Sequence, residues 1–177
     1  MDTYDYRNCQ SLFGYAADVH GRSGGVCQLC GCGSREVDFD LWRQMTVEHL
    51  IGESQGGYLR QIERALTERF PDVPRSNVAS LARRIDEANT ITACSFCNST
   101  TSRTRARISM TEAIENAPEG RESEIYLAVT SGLRQVLDDK RREVRWKLDS
   151  VKRAFDEVVE PRLRSARSVP GGDPGLR

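Results

Sequence analysis

Four cysteines in two pairs of identical spacing are the first chemistry this chain offers: Cys27-Gln28-Leu29-Cys30 and Cys94-Ser95-Phe96-Cys97. A Cys-x-x-Cys turn presents two thiolates to one ion, and two such turns complete the tetrahedral shell zinc takes in structural sites. Gly31 follows the first turn and relieves its backbone, whereas Asn98 follows the second. Cys32 offers another register for the first pair in place of Cys30, and we take Cys30. A redox dithiol is the alternative for one such pair and a weaker one for two. Reducing compartments rarely sustain disulfides, so six cysteines in a chain without an export signal read as metal ligands. Cys9 reads as a buried apolar residue on a first helix. Folding of small metal domains draws on metal binding, so the chelated protein is expected to lose its tertiary structure.

A second constellation lies between the pairs. Val47-Glu48-His49-Leu50-Ile51-Gly52 is followed by Gly56-Gly57, and Asn89 precedes Cys94 by five residues. Hydrolysis of a phosphodiester needs a base for water, a cation for the phosphate charge and a scaffold that aligns them. Glu48 and His49 can divide the first two tasks. Neighbours on a regular strand point to opposite sides, so the Glu-His step is expected where a strand ends and turns.

The order acid-His, Gly-Gly, Asn, Cys-x-x-Cys-Asn resembles the HNH endonucleases over about residues 22–103. Their ββα-metal fold sets a two-stranded hairpin and a helix around one divalent ion, often beside a zinc site made of two Cys-x-x-Cys turns. The resemblance implies DNA as substrate, His49 as general base, and Glu48 and Asn98 as ligands of Mg²⁺ or Mn²⁺. Asn98 stands at the family's last His, where Asn also occurs. Asn89 matches the middle Asn, which fixes the loop around the base by hydrogen bonds. Restriction and phage defence are settings such an enzyme suggests. Three features depart from the pattern: Glu48 stands where Asp is commoner, Gly52 where Pro is familiar, and 39 residues separate His49 from Asn89. Taken singly, His49 also reads as a structural histidine and Asn98 as a helix cap. A zinc-stapled nucleic-acid-binding or assembly module without catalysis is thus the alternative. His20, beside a glycine-rich loop, reads as solvated.

The elements that must position these residues follow from periodicity. Apolar positions predict a helix over about 6–19, ending at the Gly21–Gly25 loop. Phe39, Leu41, Met45 and Val47 share parity, which predicts a strand within 38–50 ending at Glu48-His49. Helices are expected over 58–70 and 77–87, the second with Ser76 as N-cap, and near 110–117. A beat of three to four from Ile125 to Val158 predicts one long helix or two stacked ones over about 123–160, ended by Pro161, before a disordered tail. The expected class is α+β: an N-terminal helix (1–21), a zinc-stapled ββα-metal nuclease domain (22–108) with a helical insertion (58–88), a C-terminal helical region (109–167) and a tail (168–177).

The composition fits a water-soluble protein: 38% hydrophobic, 29% charged, net charge zero, with no run long and apolar enough for a membrane span. The N-terminus lacks a basic start and an apolar stretch, so a cytoplasmic address is expected. Residues 99–167 carry 15 Lys and Arg against 12 Asp and Glu, whereas residues 1–98 carry 10 against 13. Arg103, Arg105 and Arg107, with the hydroxyls of 99–102, make a candidate phosphate-contacting stretch. The cations of 140–153 fit either a DNA-tracking face or the polar side of a dimerising helix pair, and a homodimer through the C-terminal helices is one expected assembly.

Overall fold

The β-branched runs around Val47 and Ile91 pair in the computed structural model, which describes residues 15–33, 36, 38–101 and 104–167. Strand β1 (Met45–His49) runs antiparallel to β2 (Thr90–Cys94), with Met45 opposite Cys94 and His49 opposite Thr90. Helix α5 (Ser95–Thr101) follows β2 without a loop and packs on both strands. Two strands alone are marginal in water, and packing against helices supplies the burial they lack. Helix α1 (Tyr15–Ser23) contributes to that packing. It continues to Ser23, through part of the expected glycine loop, while residues 6–14 and Cys9 lie outside the described residues. The segment before β1 is not strand. Phe39–Trp42 forms a one-turn helix, α2, because the Asp38 carboxylate accepts the Leu41 N–H at 3.0 Å and caps it.

Between the strands the chain forms a helical hairpin. Helix α3 (Leu59–Arg69) buries Ile62 and Leu66 against Val78, Leu81 and Ile85 of α4 (Arg75–Asn89), each set at the three-to-four spacing of one helix face. Helix α4 begins before Ser76, with Pro74 in the cap position; Ser76 instead donates to the side chain of Asn77. Its last residue is Asn89, and β2 starts at the next, so the hairpin returns the chain directly to its partner strand.

Helix α6 (Met110–Glu115) carries a reciprocal cap, in which Ser109 Oγ accepts from Glu112 N–H and Ser109 N–H donates to Glu112. Helix α7 (Glu122–Ala154) buries Ile125, Val129, Leu133, Val136, Lys140 and Val144. The first two thirds of α7 therefore share one continuous hydrophobic cluster with Cys27, Ile51 and Leu81. The last turns of α7 leave the body, and Val151, Phe155, Val158 and Leu163 stay exposed. Pro161 does not end the helix. A π-helical turn at Phe155–Val159, closed by Glu160 N–H to Phe155 O, leads into α8 (Glu160–Arg167). Proline lacks the N–H that residue 157's carbonyl would receive, and its ring crowds that carbonyl; widening one turn accommodates it. The tail 168–177 lies outside the described residues. No helix among the described residues is long and apolar enough to cross a membrane.

Candidate active site and metal centre

Five cysteines converge. The sulfurs of Cys27, Cys30, Cys32 and Cys94 all lie within 4.8 Å of one another. Those of Cys30 and Cys94 are 3.9 Å apart, which matches the edge of about 3.8 Å for a tetrahedron with Zn–S bonds of about 2.3 Å. The described thiols can thus hold a metal ion, and a structural zinc suits them. Spacing alone assigns the fourth place to Cys97 and leaves Cys32 as a substitute for Cys30. In the structure Cys30 and Cys32 are both present in the group, while the buried Cys97 is hydrogen-bonded to Cys27 and lies beside Cys30 and Cys94.

Local geometry explains the gathering. Gly31, at φ +79°, turns the chain so that its N–H reaches Cys27 O at 2.8 Å, and Cys27 N–H reaches Cys32 O at 2.9 Å. Gln28 fastens this knuckle to β2: its N–H donates to Thr92 O, and its side-chain oxygen accepts Thr92 N–H. Crowded sulfurs cannot all ionise. A hydrogen bond from Cys97 pulls Cys27 down to about 4, and the same shared proton, with burial, pushes Cys97 far up. A dication placed among them would favour thiolate at every sulfur.

The second site is a cavity of about 470 Å³ lined by Glu48, His49, Gly52, Tyr58, Asn98, Arg105 and Lys140, among others. Glu48 and His49 reach it together because β1 ends at His49. Glu48 is buried, and its Oε1 receives Lys140 Nζ at 2.6 Å and Thr101 Oγ1 at 3.4 Å. His49 stacks on Tyr58, with ring centroids 4.6 Å apart. Burial, and then the charge of Lys140, lower its pKa, so the imidazole is neutral at pH 7. Asn98, on α5, donates its Nδ2 to Thr46 Oγ1 at 2.9 Å, across to β1. Its second-turn position is not that of a helix cap.

Asn89 does not line the cavity. It is fully buried and holds the loop that leaves the Glu-His step: its Oδ1 accepts Ile51 N–H, and its Nδ2 donates to Ile51 O and Gly57 O, each at 2.9 Å. Gly57 is required there, because an added Cβ would sit 1.7 Å from Ile51 O. The neighbouring Gly56 makes the turn at φ +79°.

Of the arginines, Arg103 lies outside the described residues. Arg105 is exposed on the cavity wall, and the exposed Arg107 is ion-paired with Asp139 at 3.4 Å. The cations of 140–153 do not form one free face. Arg141 donates to Gln28 O, Lys147 to Glu143 and Thr100 O, and Lys152 to Asp156. His20 is buried rather than solvated, with Nδ1 3.0 Å from Thr92 Oγ1, since α1 covers β2.

Lys140 is the site residue that sequence reading missed. Its signal was register: it falls four residues after Val136 and four before Val144, in the stripe α7 buries. A lysine in a core register needs a partner.

Comparison of the chain with protein-family models, with curated proteins and with solved structures finds no match in any of the three.

Proposed function

We propose that the chain is a metal-dependent endonuclease of the HNH type that hydrolyses DNA phosphodiester bonds. The observation that carries this reading is that Glu48, His49 and Asn98 line one cavity at the end of β1, with the adjoining loop clamped by Asn89. Strands β1 and β2 and helix α5 serve as its ββα core. His49 takes the proton of the attacking water, and the bond from phosphorus to the leaving oxygen breaks as the new one forms. The lowered pKa of His49 keeps that base ready at neutral pH.

The donor set suits a divalent ion. The Glu48 carboxylate and the Asn98 side-chain carbonyl are hard oxygens on one cavity, and the Asn98 amide nitrogen is already committed to Thr46. When bound, Mg²⁺ or Mn²⁺ supplies positive charge against the phosphate and the leaving oxygen. Arg105 and Arg107, with Arg103 between the hydroxyls and Arg105 in sequence, would contact flanking phosphates. Zinc would be held by Cys27, Cys30 and Cys94 with Cys97 or Cys32 as the fourth ligand. Cutting both strands takes two such sites, and the exposed stripe of Val151, Phe155, Val158 and Leu163 is the surface through which a second copy would bring the other.

The test is cleavage of supercoiled, relaxed and base-modified DNA with Mg²⁺ or Mn²⁺, beside His49→Ala and an EDTA control. Cleavage by the wild type alone supports the nuclease. One observation favours a second reading, a catalytically inactive zinc-stapled nucleic-acid-binding or assembly module: the Lys140 ammonium neutralises the carboxylate that the ion needs. DNA binding without cleavage across all these substrates and metals selects that module.

A further inference from the structure

The Lys140–Glu48 pair is buried at both ends, with side chains 6% and 8% exposed, and joins residues 92 positions apart. The surface pairs farther toward the C-terminus, such as Lys152 at the end of α7 with Asp156 in the π-helical turn, are local and exposed. Taking two charges out of water costs more than their attraction generally returns, and a well-packed apolar pair often holds a fold as well. Stability alone therefore does not account for an ion pair here, and location offers the better reason. Lys140 shares a cavity wall with His49, Asn98 and Arg105, and of the two carboxylates that line it, the exposed Glu53 and the buried Glu48, it is bound to the buried one. Its remaining protein contact is weak, Thr101 O at 3.5 Å. A divalent ion arriving at Glu48 meets an ammonium already 2.6 Å from Oε1, and the two cations repel.

We infer that Lys140 is a second, built-in cation of the cleavage site: it holds Glu48 in the free protein, competes with the divalent ion for that carboxylate, and once displaced binds a phosphate oxygen of the nucleic acid in the same cavity. This rests on the nuclease reading, in which Glu48 is a metal ligand. It gives the positive charge two carriers, one recruited and one resident, and it makes α7 part of the site. An ammonium suits the second task because it is a compact point charge that can follow a phosphate from one oxygen to another.

The experiment is Mn²⁺ binding to the full-length, zinc-loaded protein, followed by electron paramagnetic resonance of the free ion. Lys140→Met is expected to bind Mn²⁺ at least about tenfold more tightly than wild type, and Glu48→Gln to lose that binding. In a His49→Ala background, Lys140→Met is expected to weaken Mn²⁺-dependent binding of a short DNA duplex by about tenfold, with Lys140→Arg restoring most of it. Acylation of lysines in the wild type, mapped by mass spectrometry, covers the case in which Lys140→Met does not fold: Lys140 should be protected without Mn²⁺, reactive with it, and protected again when DNA is added. Mn²⁺ affinity that depends on Glu48 but is unchanged in a folded Lys140→Met overturns the inference and leaves the nuclease reading standing. So does Lys140 acylation that Mn²⁺ does not alter. Absence of Mn²⁺ binding in the wild type and in Lys140→Met alike overturns both.

Discussion

The thiol cluster and the Glu48 cavity are built on the same two strands and the same helix α5, yet they handle charge in opposite ways. At the thiols, like groups are crowded together, so Cys27 is driven to ionise and Cys97 to keep its proton. At Glu48, opposite groups are crowded together, and the carboxylate already has its ammonium. The first arrangement can take a cation from outside, whereas the second already holds one of the protein's own. It follows that metal removal should unfold the protein from the thiol cluster outward, whereas substitution of Lys140 should act at the cavity and leave the metal in place.

The largest expected effect is therefore zinc removal. Structural zinc in small domains supplies on the order of 10 kcal/mol, so a strong chelator should abolish the cooperative thermal transition and the near-ultraviolet circular dichroism. Cys27→Ser, Cys30→Ser and Cys94→Ser should each lose the zinc measured by elemental analysis. Cys32→Ser and Cys97→Ser sharpen the comparison, because the one that retains a full zinc complement is the spare fifth thiol. A preparation with far less than one zinc per chain and an unchanged melting temperature in Cys94→Ser would end the zinc claim.

Breaking the resident pair comes next. Lys140→Met leaves Glu48 buried without its cation and should cost about 3–5 kcal/mol in urea denaturation. The double variant Lys140→Met with Glu48→Gln should recover most of that loss. A double variant as unstable as the single one would show that the site is held by something other than charge pairing.

Asn89 should follow. Asn89→Ala strips partners from Ile51 N–H, Ile51 O and Gly57 O in a fully buried position, at an expected cost of about 3 kcal/mol or more. The same denaturation measurement reads it, and Gly57→Ala should disturb the loop in the same way. A loss below about 1 kcal/mol would mean that the loop does not depend on this clamp.

The smallest effect uses Asp86 as a control carboxylate, buried without an ammonium. Burial, reinforced by Glu87 and opposed by Arg22, raises its pKa from 3.8 to about 6. The folded state then holds the proton more tightly than the unfolded state. That contribution is complete below pH 3.8 and is lost as pH rises through about 6. Asp86→Asn should consequently stabilise the protein at pH 8 by at most about 3 kcal/mol, with the gain vanishing toward pH 4. Melting temperatures across that range check it; a gain independent of pH would remove burial of the charge as the cause.

Much of the framework was legible as local pattern. The helices of 58–70, 77–87 and 110–117 follow from apolar spacing, and α3, α4 and α6 occur there with ends moved by a residue or two. The cysteine turns and the strand ending at Glu48-His49 needed only short-range geometry. What was not legible depends on packing across the chain. Helix α1 covers β2 and buries His20, although His20 borders glycines that read as a solvated loop. The helix passes Pro161 because one widened turn satisfies the backbone. Phe39–Trp42 is helical because Asp38 caps it, a local bond stronger than the alternation that suggested a strand.

The sequence by itself determined which groups could do chemistry: thiols three residues apart within each turn, an acid next to a histidine, and an asparagine beside the last thiol. Only the tertiary structure decided how their charges are balanced. It gathered a fifth thiol, Cys32, with the other four, and it carried Lys140 across 92 residues to Glu48. The physical reason is range. Spacing along a helix or turn dictates which neighbours within a few residues can meet, whereas the partner of a buried charge is whichever group the packed core leaves facing it.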